Sequence, residues 1–144
     1  MKTPLLLRIA AVITFLYFAG HTAGIPWTPG LGPQERPVLE AMKSHAFDME
    51  GFRRTYWDLY FGFGLIVSVF LLVQAVVLWQ LASLAKTDAL RVRPIVASFF
   101  VAFVVNAFLS WKYFFAIPMF MCVAISICLA LAFVTAGRSK AAEL

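Results

Sequence analysis

Four long apolar stretches, separated by short polar or proline-rich connections, set the pattern of this chain. They cover residues 5–24, 56–84, 95–115 and 119–136. Each comes close to or exceeds the ~20 residues that cross a bilayer as a helix. The second is longer than a span needs, so it tilts or lets its first turns project from the membrane. Lys86, Asp88, Arg91 and Arg93 mark the connection to the third stretch. So short a link makes the second and third helices antiparallel neighbours. Pro118 marks the turn into the fourth.

The first connection is different. Residues 24–37, GIPWTPGLGPQERP, hold four prolines and three glycines, and no regular helix survives that composition. Trp27 suits the headgroup zone. Pro37 fits the first turn of a short helix. Val38, Leu39, Met42, Ala46 and Met49 then recur at spacings of three and four, with Glu40, Lys43 and Asp48 falling elsewhere. That pattern predicts an amphipathic helix over 37–50, lying on the membrane surface or capping the bundle and ended by Gly51. The fold class expected is all-α: an integral membrane four-helix bundle in a single domain, 1–144, with one amphipathic loop helix between spans 1 and 2.

Composition agrees. Of 144 residues, 62% are hydrophobic and only 13% charged, far from the ~25% charged residues of soluble domains. The first stretch reads as an uncleaved helix, because Arg8 interrupts the apolar core that a secretory leader needs; the residue can snorkel toward headgroups. The net charge of +5 comes from residues that flank apolar runs. It suits juxtamembrane anchoring and not a nucleic-acid face. Seven basic residues (Lys2, Arg8, Lys86, Arg91, Arg93, Arg138, Lys140) fall on the side of the termini, against five (Arg36, Lys43, Arg53, Arg54, Lys112) on the other. That bias predicts cytoplasmic termini. Cys122 and Cys128 stand six apart in one helix, roughly 9 Å along its axis and about 120° around it, and cannot bridge each other.

Polar groups gather toward the outer end of this topology. Residues 51–64, GFRRTYWDLYFGFG, concentrate charge, rings and glycines. Arg54 and Asp58, four apart, pair along a helix surface in the simplest reading; in the sharper one Asp58 turns inward as acid, base or ligand anchor. Arg53 over Trp57 is a cation–π candidate. Tyr56, Trp57 and Tyr60 make an aromatic belt or line a ligand mouth. His21, within AGHTAG, either bonds a neighbouring helix across a G-x-x-x-G surface or acts as an imidazole base with Asp58 or Glu50 as partner. Gly62 and Gly64 admit a close neighbour. Asn106, Ser110 and Tyr113 share a face of the third span. There they are packing glue between helices or groups that orient a ligand. No catalytic, phosphate-loop or dinucleotide signature occurs. Two histidines, one of them in a loop, do not suggest a metal or haem site, and no cofactor is expected.

The AGHTAG end of the first span and the later G-x-x-R-x-Y-W-D-x-Y-x-G-F-G resemble a family of small bacterial four-span membrane proteins of unassigned activity. The matching residues are Gly20, His21, Thr22, Gly24, Gly51, Arg54, Tyr56, Trp57, Asp58, Tyr60, Gly62, Phe63 and Gly64. The resemblance implies the four-span fold, in a bacterial inner membrane, and no activity. The likeness to DoxX-like and sterol-isomerase-like proteins is one of helix count alone.

Three functions fit. The first is binding of a lipid-like or other apolar molecule, or docking of a membrane partner, through the outer mouth (Arg54, Trp57, Tyr60, Asn106, Ser110, Tyr113). The second is isomerase-type acid–base catalysis by His21, Asp58 and Glu50. The third is transport as an oligomer, which the scarcity of polar residues in the inner half disfavours. Expected partners are membrane lipid or an apolar small molecule and a second copy of the chain in a homo-oligomer, with no nucleic acid.

Overall fold

The computed structural model describes residues 2–24 and 32–141, with side chains as far as Gly137. The fold is all-α in its membrane part. Helices α1 (Lys2–Gly24), α3 (Tyr56–Leu84), α4 (Ala89–Tyr113) and α5 (Ala116–Ala141) are each long and apolar enough to cross a membrane. The short α2 (Glu35–Ser44) lies between the first and second of them. This is an integral membrane protein. Trp27, Glu143 and the side chains of Arg138 and Lys140 lie outside the described residues.

The amphipathic segment departs from its expected form. Helix α2 ends at Ser44, and a β-hairpin follows: β1 (Ala46–Met49) against β2 (Phe52–Thr55), antiparallel, with Met49 opposite Phe52 and Ala46 opposite Thr55. The cause lies in the turn. Glu50 and Gly51 both have positive φ, 53° and 87°, as in the two-residue turns whose twist matches a hairpin. The Gly51 amide donates to Asp48 Oδ1 at 3.0 Å. At the open end of the hairpin, Tyr56 stacks on His45 at 5.6 Å and packs against Phe47 at 5.0 Å. Gly51 thus closes a hairpin and does not end a helix.

Helix α4 starts earlier than its apolar run. Asp88 is its N-cap and accepts from the Arg91 amide at 3.0 Å, which satisfies one of the donors that a helix start leaves open. Pro94 sits inside α4 and removes one backbone hydrogen bond. Pro118 lies in the first turn of α5, where proline is tolerated, so the break falls at Phe114 and Phe115.

The chain forms two compact units. One comprises Met1–Tyr17 and Leu71–Leu144, and its core holds Leu7, Leu78, Val96, Phe103, Ile125 and Leu129, all under 2% exposed. Much of the remaining core is alanine: Ala10, Ala11, Ala75, Ala82, Ala85, Ala132 and Ala136. Small residues suit helices in lipid, where close packing of backbones replaces the hydrophobic drive available in water. Thr3 and Thr135 share a hydrogen bond at 2.9 Å, which ties α1 to α5. The other unit, Phe18–Phe70, holds α2, the hairpin and the adjoining turns of α1 and α3.

Candidate functional site

The unit of residues 18–70 carries six of the residues singled out from the sequence. Asp58 anchors the start of α3. The Thr55 amide and hydroxyl donate to Asp58 Oδ2 at 2.8 and 2.9 Å, and the Asp58 amide donates back to Thr55 Oγ1 at 3.1 Å. This reciprocal pair is a capping box, and an acid in a first helical turn also suits the helix dipole. Arg54 does not share that helix. It lies in β2, its Nη1 donates to Arg53 O at 2.9 Å, and its guanidinium sits 5.4 Å over Phe52. The cation over Trp57 is Lys43 of α2, at 4.7 Å, not Arg53. Trp57 also contacts Tyr60 and Phe61 at 5.6 and 6.3 Å. Glu50 is exposed in the hairpin turn, and Tyr60 is exposed on α3.

His21 Nε2 lies 3.0 Å from Gly64 O. A carbonyl only accepts, so this nitrogen carries the proton. Thr22 donates to Ser68 Oγ at 2.9 Å, and Ser68 donates to Gly64 O at 3.2 Å. A short polar seam thus joins α1 to α3. Gly64 is six residues beyond Asp58, roughly 9 Å farther along α3 and about 120° around it. His21 and Asp58 therefore serve separate local networks. A Cβ on Gly20, Gly24 or Gly62 would meet no described atom within 4 Å, so the described residues do not use these glycines for close approach.

The other unit carries the remaining three. Ser110 is buried and lies within hydrogen-bonding reach of Tyr17 and Cys122, so a cluster from α1, α4 and α5 closes inside the core. Ser126, one turn beyond Cys122, is buried with its Oγ unpaired among the described residues. Asn106 and Tyr113 are exposed on α4. Among the described residues no group of three His, Cys, Asp or Glu could hold a metal ion.

This unit also contains a groove that the sequence did not mark. Ala11, Val12 and Phe15 of α1 and Leu72, Ala75, Val76, Trp79 and Gln80 of α3 enclose about 450 Å³. Only Gln80 is polar. Val12, Phe15, Val76 and Trp79 are about half exposed, so one side of the groove is open. At its end the guanidinium of Arg8 lies 5.1 Å over the Trp79 ring. A second arginine, Arg93 of α4, lies 4.0 Å over Phe133 of α5, with its guanidinium against Gly137. Both Nε atoms are buried without a hydrogen-bond partner among the described residues. The sequence signal for Arg8 was its place inside an apolar run, where ionisable groups default to functional roles.

Compared with protein-family models, curated proteins and solved structures, the chain matches none.

Proposed function

We propose that this integral membrane protein binds a lipid-like molecule, and that the binding site is the α1–α3 groove in place of the outer mouth. The observation that carries this reading is the groove itself: about 450 Å³, apolar walls, one open side and one polar end. Ligand sites of this kind are concave, mostly apolar and oriented by few polar groups. The mouth residues support it less, because Asp58, His21, Trp57 and Arg54 already have local partners. For the same reason the isomerase alternative is the weaker one. The excess of basic residues at the chain ends and in the connection between the second and third spans supports cytoplasmic termini.

Native mass spectrometry of the full chain from mild detergent tests this. One bound lipid-like molecule is expected to survive on the native protein and to be lost from Val76→Trp, which fills the groove from its exposed wall. Retention by the filled variant would refute the groove.

Asn106 favours a second reading, docking of another copy of the chain. Its amide is exposed on α4 and has no hydrogen bond among the described residues. An amide is both donor and acceptor, so two copies can satisfy each other across a two-fold axis, and amides join helices in lipid. Light scattering should then show a dimer that Asn106→Leu weakens. An unchanged mass distribution would remove this reading.

A further inference from the structure

We infer that the α1–α3 groove selects an anionic phospholipid, with the acyl chain between the helices and the phosphate held by Arg8. The inference rests on the groove reading above and adds the chemistry of the headgroup.

The groove has a direction. From Arg8 inward, α1 presents Ala11, Val12 and Phe15, while α3 presents Gln80, Trp79, Val76, Ala75 and Leu72 in the same sense. The eight steps from Gln80 to Leu72 span about 12 Å, close to one leaflet of a ~30 Å hydrocarbon core. The wall is apolar along this length, and the polar end lies toward the helix termini. An acyl chain entering along it would leave its headgroup at Arg8.

Arg8 is built to meet an anion. Its guanidinium lies over Trp79, itself a groove wall, and its buried Nε has no acceptor among the described residues. Asp88, the described acid on this side of the chain, is committed to capping α4. A guanidinium offers a planar fork that matches two oxygens of a phosphate. Nε itself is enclosed, but Arg8 is only partly buried, so a phosphate would meet the accessible part of the side chain and leave the ring contact in place. The described groove residues include no carboxylate to receive a choline or ethanolamine cation. The Arg8 guanidinium at the groove end would repel one. The preference therefore runs to an anionic over a zwitterionic headgroup.

The test titrates the full-length protein in mild detergent with phosphatidylglycerol or phosphatidylcholine of matched chains, read by native mass spectrometry. The native protein should retain phosphatidylglycerol about tenfold better, the scale of one charge-assisted contact. Arg8→Gln should bind both lipids and no longer distinguish them. Arg8→Lys, which keeps the charge but not the fork, should lose most of the preference and serves if the glutamine variant does not fold. Val76→Trp should lose both lipids. Discrimination that survives in Arg8→Gln, or in Arg8→Lys where only that variant folds, overturns the headgroup assignment and leaves the groove standing. Retention of both lipids by Val76→Trp overturns the groove, and the inference with it. Displacement of phosphatidylglycerol by millimolar inorganic phosphate would show a simple anion site and would also overturn it.

Discussion

The two units of this protein are held together by different physics. In the unit of Met1–Tyr17 and Leu71–Leu144, large side chains such as Phe103, Leu78 and Ile125 are almost wholly enclosed, and alanines bring helix backbones close. Among the described residues of Phe18–Phe70, no hydrophobic side chain is buried. That unit relies on the His21–Gly64 and Thr22–Ser68 bonds, the capping box at Thr55 and Asp58, and ring contacts around Tyr56 and Trp57. In the packed unit the buried Nε atoms of Arg8 and Arg93 lack acceptors among the described residues; in the hydrogen-bonded unit Asp58, the acid that drew most attention in the sequence, is already engaged. Charge that looks functional in a sequence can thus be structural, while charge that looks like simple anchoring can lie at the end of a groove.

Substitutions can break this contrast. The largest effect is expected from Phe103→Ala, a cavity in the packed unit that should cost about 3 kcal/mol. Reversible unfolding in mixed micelles measures it, while hydrogen exchange in the hairpin should stay unchanged. A smaller effect is expected from Thr55→Val, which removes the capping hydroxyl and should cost about 1 kcal/mol. It should appear as faster exchange at the amides of the first turn of α3. A loss of global stability comparable to that of Phe103→Ala would mean that the two units do not differ in this way. The smallest effect is expected from Ser126→Ala. Its hydroxyl is buried and unpaired among the described residues, so removing it should leave stability within about 0.5 kcal/mol or raise it. A clear loss in the same unfolding assay would reveal a partner for that hydroxyl.

The spans were legible because apolar runs of this length admit few alternatives. Helix α3 occupies the span read for it, and α4 begins before its apolar run because Asp88 caps it. The hairpin was hidden by accident of spacing. Ala46 and Met49 continue the three–four rhythm of α2, and Glu50-Gly51 is a less familiar turn than Asn-Gly. The role of Asp58 was legible in principle, since Thr55 and Asp58 have capping-box spacing at the head of an apolar run. Reading Arg54 as helical obscured it. The groove could not be read, because helices apolar on every side carry no stripe to say which faces meet. The clustering of Tyr17, Ser110 and Cys122 was hidden for the same reason, since it depends on how three helices are rotated.

The hairpin turn also offers a practical handle. Glu50 and Gly51 are exposed, and the Gly51 amide fastens the tip to Asp48. Lengthening such a tip adds only slowly to its closure entropy, and exposed tips are where inserted peptide is best tolerated. An epitope placed between these two residues would be reached by antibody from one face of a sealed vesicle only, reporting which way the protein sits in its membrane.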